Sequence, residues 1–200
     1  MSRKRKKKKS GCVGFAVVVL ILVLLVAVFI YGDMFSKIRI GIEHRIYPLK
    51  YEQEIIKAGE KYGLEPELLS AVIYAESKFQ ENAESSVGAR GLMQIMPETF
   101  VWLCEKRGDE YDPDELFDPF INIDYGAYYL SWLYAHFGDI YTACAAYNAG
   151  IGAVDDWLDE DMYSTDGVTL SYIPYGETSN YVEKIENATV KYKELYFNEY

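Results

Sequence analysis

"PELLSAVIYAESKF", residues 66–79, is the stretch on which the reading of this chain turns. Pro66 suits the first turn of a helix, where its missing N–H is one that no helical partner would have used. Leu68, Leu69, Val72 and Ile73 supply an apolar face, and Glu76 falls four residues after Val72 and three after Ile73, on that same face. A carboxylate on a face that should be buried is expensive. Position alone leaves two readings. The helix ends and Glu76 emerges into solvent at its last turn, or Glu76 lines a cleft, desolvated, holding a proton near neutral pH that it can give to a leaving oxygen.

Outward from this helix the pattern stays helical. "YEQEIIKAGEKYG" precedes it and stops at Gly63; "ENAESSVGARG" after it is small, polar and reads as loop. "PETFVWLCEKRG" is a short helix with Pro97 near its start and Gly108 after its end, and "YDPDELFDP" a loop with two prolines. "INIDYGAYYLSWLYAHFG", "DIYTACAAYNAG" and "AVDDWLD" read as further helices, residues 159–172 as an acidic irregular insertion, and "ETSNYVEKIENATVKYKELYF" as a long last helix. Regular strand alternation is almost absent, so the fold class is mostly α, and the roughly 150 residues from Lys50 suffice for one core.

The N-terminal region differs in kind. Seven of the first nine residues are Lys or Arg, so a formal charge of −11 for the whole chain leaves −18 beyond them. Ser10 to Gly32 contains no charged residue and is long enough as a helix to span a hydrocarbon core of ~30 Å. The basic block on its N-terminal side places the tail in the cytoplasm and the rest outside. A cleaved signal peptide is the competing reading, but its apolar region is shorter and ends in small residues, whereas this one ends "FIYGDM". The expected organisation is a basic cytoplasmic tail over 1–10, a transmembrane anchor over 11–32, a stalk over 33–49, closed by Pro48, and one extracytoplasmic domain over 50–200.

The acidic exterior argues against a polyanionic partner such as nucleic acid and leaves a neutral sugar polymer open. Beside a spanning helix, the basic tail reads as an orientation signal that binds anionic lipid. His44 and His136 stand alone and no His/Cys cluster has zinc-ligand spacing, so neither a metal nor another cofactor is expected. Cys104 and Cys144 are either a disulfide or two buried thiols.

The residues after Glu76 resemble a known family. Glu76-Ser77, Phe79, Ala83, Ser85, Gly88-Ala89, Gly91-Leu92-Met93-Gln94, Met96-Pro97 and Thr99 are similar to the first block of the soluble-lytic-transglycosylase type of lytic transglycosylases, a branch of the goose-type lysozyme superfamily. "LFDPFINIDYGAYYLSWL" resembles the second block, "AAYNAGIGAVDDWL" the third, and "IPYGETSNYVEKI", with Pro174, Glu177, Thr178, Tyr181 and Val182, the fourth. The four blocks stand in the family's order over about residues 60–190.

The resemblance implies a lysozyme-like single domain that cleaves peptidoglycan glycan strands. It implies Glu76 as the single catalytic acid/base, and Ser85, Gln94 and Met96 as residues lining the glycan groove. Tyr147 and Asn148 match the pair on the groove floor; Glu177 and Tyr181 match the pair bordering the site from the C-terminal side. Bland roles stand beside these. Met93 and Met96 can be core filler, Gly88, Gly91, Gly150 and Gly152 can serve turns, and Trp102, Trp132 and Trp157 suit the core.

A usual glycosidase needs two carboxylates. Glu81 and Glu84 lie in a polar loop and Glu177 opens a helix, where a Glu suits the first turn. One carboxyl suffices if the substrate supplies the rest. Glu76 would protonate the glycosidic oxygen, the substrate's N-acetyl group would stabilise C1, and Glu76 would then draw the proton from the C6 hydroxyl as it closes a 1,6-anhydro ring. A lysozyme-type hydrolase on the same fold, and an idle glycan-binding scaffold of an envelope machine, are the alternatives. Arg90 occupies a variable slot, either touching stem peptides or nothing, and the 159–172 insertion either restricts substrate, binds a partner or is a disordered loop.

Overall fold

The computed structural model describes residues 10–198; of these, the side chains at positions 10–14, 16, 17, 21, 23 and 26 are not described. Two units are present, one ending at Ile46 and one beginning at Tyr47. The basic tail lies outside the described residues.

The first unit is one continuous helix, α1 (Ser10–Ile46), which takes in both the uncharged run and the segment read as a stalk. Asp33–Lys37 at 2.8 Å and Arg39–Glu43 at 3.3 Å pair four residues apart along it. A helical stalk rises ~1.5 Å per residue, less than half the reach of an extended one. Among the described residues, no helix is long and apolar enough to cross a membrane. The run from Ser10 to Gly32, read as an anchor, includes the positions whose side chains are not described.

The second unit is built from α2 (Glu52–Tyr62), α3 (Pro66–Glu76), α4 (Pro97–Arg107), α5 (Pro119–Phe137), α6 (Ile140–Ala149), α7 (Ile151–Leu158) and α8 (Gly176–Tyr192), with a 3-10 turn at Pro113–Phe117 and a π-turn at Lys193–Phe197. No strand occurs among the described residues, only isolated bridges pairing Arg90 with Glu84 and with Ile95. Helix ends fall where the sequence places glycine. Gly63, Gly108 and Gly138 take left-handed conformations and donate N–H groups to carbonyls of the turn before.

α3 is the central helix. Leu68 through Ile73 are all buried, so it is apolar around most of its circumference, and α8 packs along it. Its one interior hydroxyl, Ser70, donates to the Pro66 carbonyl at 2.8 Å, and Lys193 ties down the buried Glu67 at 2.9 Å. Immediately after Glu76 the chain reverses. Lys78 and Phe79 both have positive φ, at 52° and 63°, which non-glycine residues adopt at a cost of ~1–2 kcal/mol each. The reversal drops Phe79 into the core against Tyr192, and burial of that ring offsets the strain.

The loop over 80–96 is held from beneath by Asn122, fully buried in α5. Its Oδ1 accepts from the Met93 N–H at 2.7 Å, while its Nδ2 donates to the Arg90 carbonyl at 2.9 Å and the Leu116 carbonyl at 2.8 Å. Met93 is core, its side chain pressed on Gly126, where an added Cβ would lie 2.3 Å from Sδ. Gly88, Gly91 and Gly150 have positive φ as turns require, whereas Gly152 lies inside α7 and serves no turn.

The structure bears on three open readings. Cys104 and Cys144 are free, buried thiols, not a disulfide. Arg90 is not without contacts: it pairs with Asp114 at 2.9 Å and Glu84 at 3.4 Å, bracing the loop. The 159–172 insertion is ordered. The Asp166 carboxylate accepts from the Val168 and Thr169 N–H groups, Ser164 is buried beneath it, and the Leu170 N–H reaches the Thr142 hydroxyl of α6.

Candidate active site

Glu76 is the last residue of α3, half-buried, between α8 and α6. Tyr181 of α8 donates its hydroxyl to Glu76 Oε1 at 2.6 Å across 105 residues of sequence. Burial drives the Glu76 carboxyl up from its ordinary 4.5 to about 7, against the opposing pull of the Tyr181 hydrogen bond and the Lys184 charge. Burial of the carboxyl fits the desolvated reading of Glu76, although Glu76 is not among the residues that line the cleft described below. A carboxyl driven to about 7 lies near neutral pH, where general acid–base catalysis is most effective. Tyr147 and Tyr181 are pushed well up, first by burial and then by the Glu76 charge, so both hydroxyls stay protonated.

Gln94, Met96, Tyr147 and Asn148 line one cleft of about 300 Å³, together with Thr99, Tyr129 and Gly150. Gln94 is itself in a left-handed conformation, φ 49°, and its side-chain amide donates back to the Gly91 and Ala83 carbonyls at 2.9 and 3.1 Å, fixing the loop's lip. The Tyr147 hydroxyl donates to the Met93 carbonyl at 2.8 Å, so its proton is spent on the loop and only Tyr181 donates to Glu76. Asn148 accepts from the Thr178 hydroxyl at 2.8 Å, leaving its amide N–H₂ for other partners.

Two residues stand apart. Ser85 caps its own turn, accepting from the Ala89 N–H at 2.9 Å, and is not among the cleft's lining residues. Glu177 is exposed in the first turn of α8 without a side-chain hydrogen bond among the described residues. Glu81 accepts from the Tyr51 hydroxyl and Glu84 pairs with Arg90, so neither is directed at Glu76. Among the described residues, no group of three or more His, Cys, Asp or Glu could hold a metal ion. Asn122, Thr178 and Lys184 belong to the site's support without having been singled out for that role. The first had a signal, an amide in an otherwise apolar helical segment; the last looks like any surface lysine in the sequence.

The domain is mostly helical, and its Glu76 carboxyl is desolvated under the Tyr181 hydroxyl at the end of α3. The chain belongs to the transglycosylase SLT domain family, whose model matches residues 53–167. It is 35% identical over 144 residues to the soluble lytic murein transglycosylase of Salmonella typhimurium, covering 70% of this chain and 22% of that protein. It is 32% identical over 167 residues to the membrane-bound lytic murein transglycosylase C of Actinobacillus pleuropneumoniae, covering 72% of this chain and 46% of that one. The crystal structure of the 70 kDa soluble lytic transglycosylase of Escherichia coli superposes with a TM-score of 0.68 at 28% identity, over 76% of this chain and 25% of that one. An inactive glutamate-to-glutamine mutant of lytic transglycosylase Slt from Pseudomonas aeruginosa superposes with a TM-score of 0.66 at 30% identity. The chain thus spans less than half the length of these relatives.

Proposed function

We propose that this chain is a peptidoglycan lytic transglycosylase that cleaves the MurNAc-GlcNAc β-1,4 bond without water, leaving 1,6-anhydroMurNAc ends. Glu76 acts as acid toward the glycosidic oxygen and then as base toward the C6 hydroxyl. Tyr181 holds the carboxyl in place through both steps, Gln94 and Met96 line the groove, and Tyr147 and Asn148 form its floor. Ser85 and Glu177 border the groove. The observation that carries this reading is the desolvated carboxyl of Glu76, driven up to about 7 and held by Tyr181, near a cleft lined by residues of the family blocks. A hydrolase would want a second carboxylate, and Glu81, Glu84 and Glu177 are exposed or engaged elsewhere. The test is the mass of the products from purified peptidoglycan. Anhydro-muropeptides, one water lighter than hydrolysis products, are expected, at a rate that falls as pH rises through about 7 and the acid form of Glu76 is lost. Reducing-end products alone would move the enzyme to the hydrolases.

We also propose that Ser10–Gly32 anchors the chain in the cell membrane by a single pass, with the basic N-terminus cytoplasmic and the catalytic domain outside. Support comes from the uncharged run itself, from helical backbone through it, and from exposed apolar side chains such as Phe15, Leu20, Leu25 and Phe29. The full chain is expected to sediment with membranes, resist alkaline carbonate and enter solution only with detergent. Release by salt alone would leave the segment peripheral and overturn the anchor.

A further inference from the structure

α3 carries no basic residue in its last turn, yet Glu76 sits there, at the negative end of its own helix dipole. The last carbonyls of the helix are taken up one by one. Ile73 accepts from the Ser77 N–H at 3.0 Å, Tyr74 from the Lys78 N–H at 3.2 Å, and Ala75 from Lys184 Nζ at 2.8 Å. Lys184 comes from α8, three residues after Tyr181, so both side chains leave the same face of α8 and converge on the same turn of α3. Its ammonium also lies over the Tyr74 ring at 5.4 Å, which fixes the stem of the side chain.

Resting on the reading of Glu76 as acid and base, we propose that Lys184 is its positioning residue: it supplies the cation that α3 lacks, clamps the turn holding Glu76 against Tyr181, and stabilises the carboxylate that the first proton transfer leaves on Glu76. The other titratable groups facing Glu76 are Tyr181 of α8 and Tyr147 and Cys144 of α6, all neutral near pH 7 because burial raises each of them. Lys78, just past α3, acts on Lys184, and that repulsion together with burial lowers the Lys184 pKa. Lys184 is thus the one cation whose charge bears directly on Glu76 among the described residues. A carboxyl without it, at a helix C-terminus and desolvated, stays protonated to higher pH. It is then a weaker acid toward the glycosidic oxygen, while the carboxylate it leaves is the stronger base.

The test is the titration of the Glu76 side-chain carboxyl, followed by carbon NMR in the full chain in detergent and assigned by its loss in Glu76→Gln. Lys184→Met is expected to move the midpoint up by about half a unit to one unit, and Lys184→Arg to leave it at the wild-type value. Lys184→Gln serves where the methionine variant does not fold. In parallel, the high-pH limit of anhydro-product release should shift the same way in the Met or Gln variant and not in Arg. A midpoint unmoved by the Met or Gln variant overturns the inference, whatever happens to the rate, because loss of packing alone would slow turnover without moving a titration. Since the titration needs no turnover, a wild-type chain yielding only hydrolysis products would sink the transglycosylase reading while leaving the Lys184–Glu76 coupling to stand or fall separately.

Discussion

Glu76→Gln should reduce release of anhydro products by ~10³-fold or more, while making the domain more stable at neutral and alkaline pH. Both halves come from the same burial. General acid–base catalysis by one group contributes ~10²–10⁴-fold, and here one carboxyl serves in both directions, so its removal should fall toward the upper part of that range. The glutamine keeps the shape and can still accept the Tyr181 hydroxyl, which removes misfolding as the cause. The sign of the stability change follows from linkage. Glu76 titrates near 7 in the folded chain and near its ordinary 4.5 when unfolded. Wild-type stability therefore declines as pH rises from about 4.5 to about 7 and levels off above, whereas the glutamine variant has no such decline. With ~1.4 kcal/mol per pKa unit, and allowing for partial exposure of the carboxyl, the variant should gain on the order of 1–3 kcal/mol above pH 7. It should gain almost nothing at pH 4. Denaturant unfolding at pH 4, 6 and 8, beside product mass spectrometry, checks both halves. A variant that is inactive and less stable at pH 8 would mean that Glu76 holds the fold together and is not a desolvated acid.

The helices and the groove residues were legible in the sequence for different reasons. Apolar spacing with Gly at the end marks α2, α4 and α5, and Pro at the start adds to α4 and α5, because those signals are local. Glu76 stood out because a carboxylate on the Val72–Ile73 face conflicts with the burial of its neighbours, although position alone did not decide between solvent and cleft. The structure buries it under Tyr181, 105 residues away, a pairing that no local spacing encodes. Lys184 was silent for the same reason. One lysine in "YVEKI" carries no sign of its partner until α8 is laid against α3. Arg90 and the 159–172 insertion looked undetermined because loops are fixed by side-chain bonds, here Arg90 to Asp114 and the Asp166 turn, which composition does not reveal. Tyr147 shows the converse case. It lines the cleft, but its hydroxyl proton goes to the Met93 carbonyl, and so it supports the loop that carries Gln94 and Met96.

That loop is also where the largest stability effect is expected. Gly91→Ala should cost roughly 3–5 kcal/mol and lower the melting temperature by about 10 °C or more. Gly91 has φ +76°, and an added Cβ would lie 2.2 Å from both Asn122 Nδ2 and the Leu116 carbonyl oxygen. The left-handed backbone alone costs ~1–2 kcal/mol with a side chain. The two contacts cannot be relieved by a flexible tip, since one is backbone and the other the amide that already bonds Arg90, Leu116 and Met93. Displacing Asn122 leaves buried partners unsatisfied, at ~1–3 kcal/mol. Gly88→Ala is the matched control, with φ +91° but open space around the added carbon, and should show the backbone cost without the rest. Asn122→Ala should be destabilising by itself, and the Gly91→Ala/Asn122→Ala double variant should lose less than the two single losses together, because both break the same bonds. Thermal melts of the four variants separate the possibilities. If Gly91→Ala melts no lower than Gly88→Ala, or if the double variant is additive, then Asn122 does not carry the loop. The lip of the cleft must in that case be held by Gln94 and Arg90 alone.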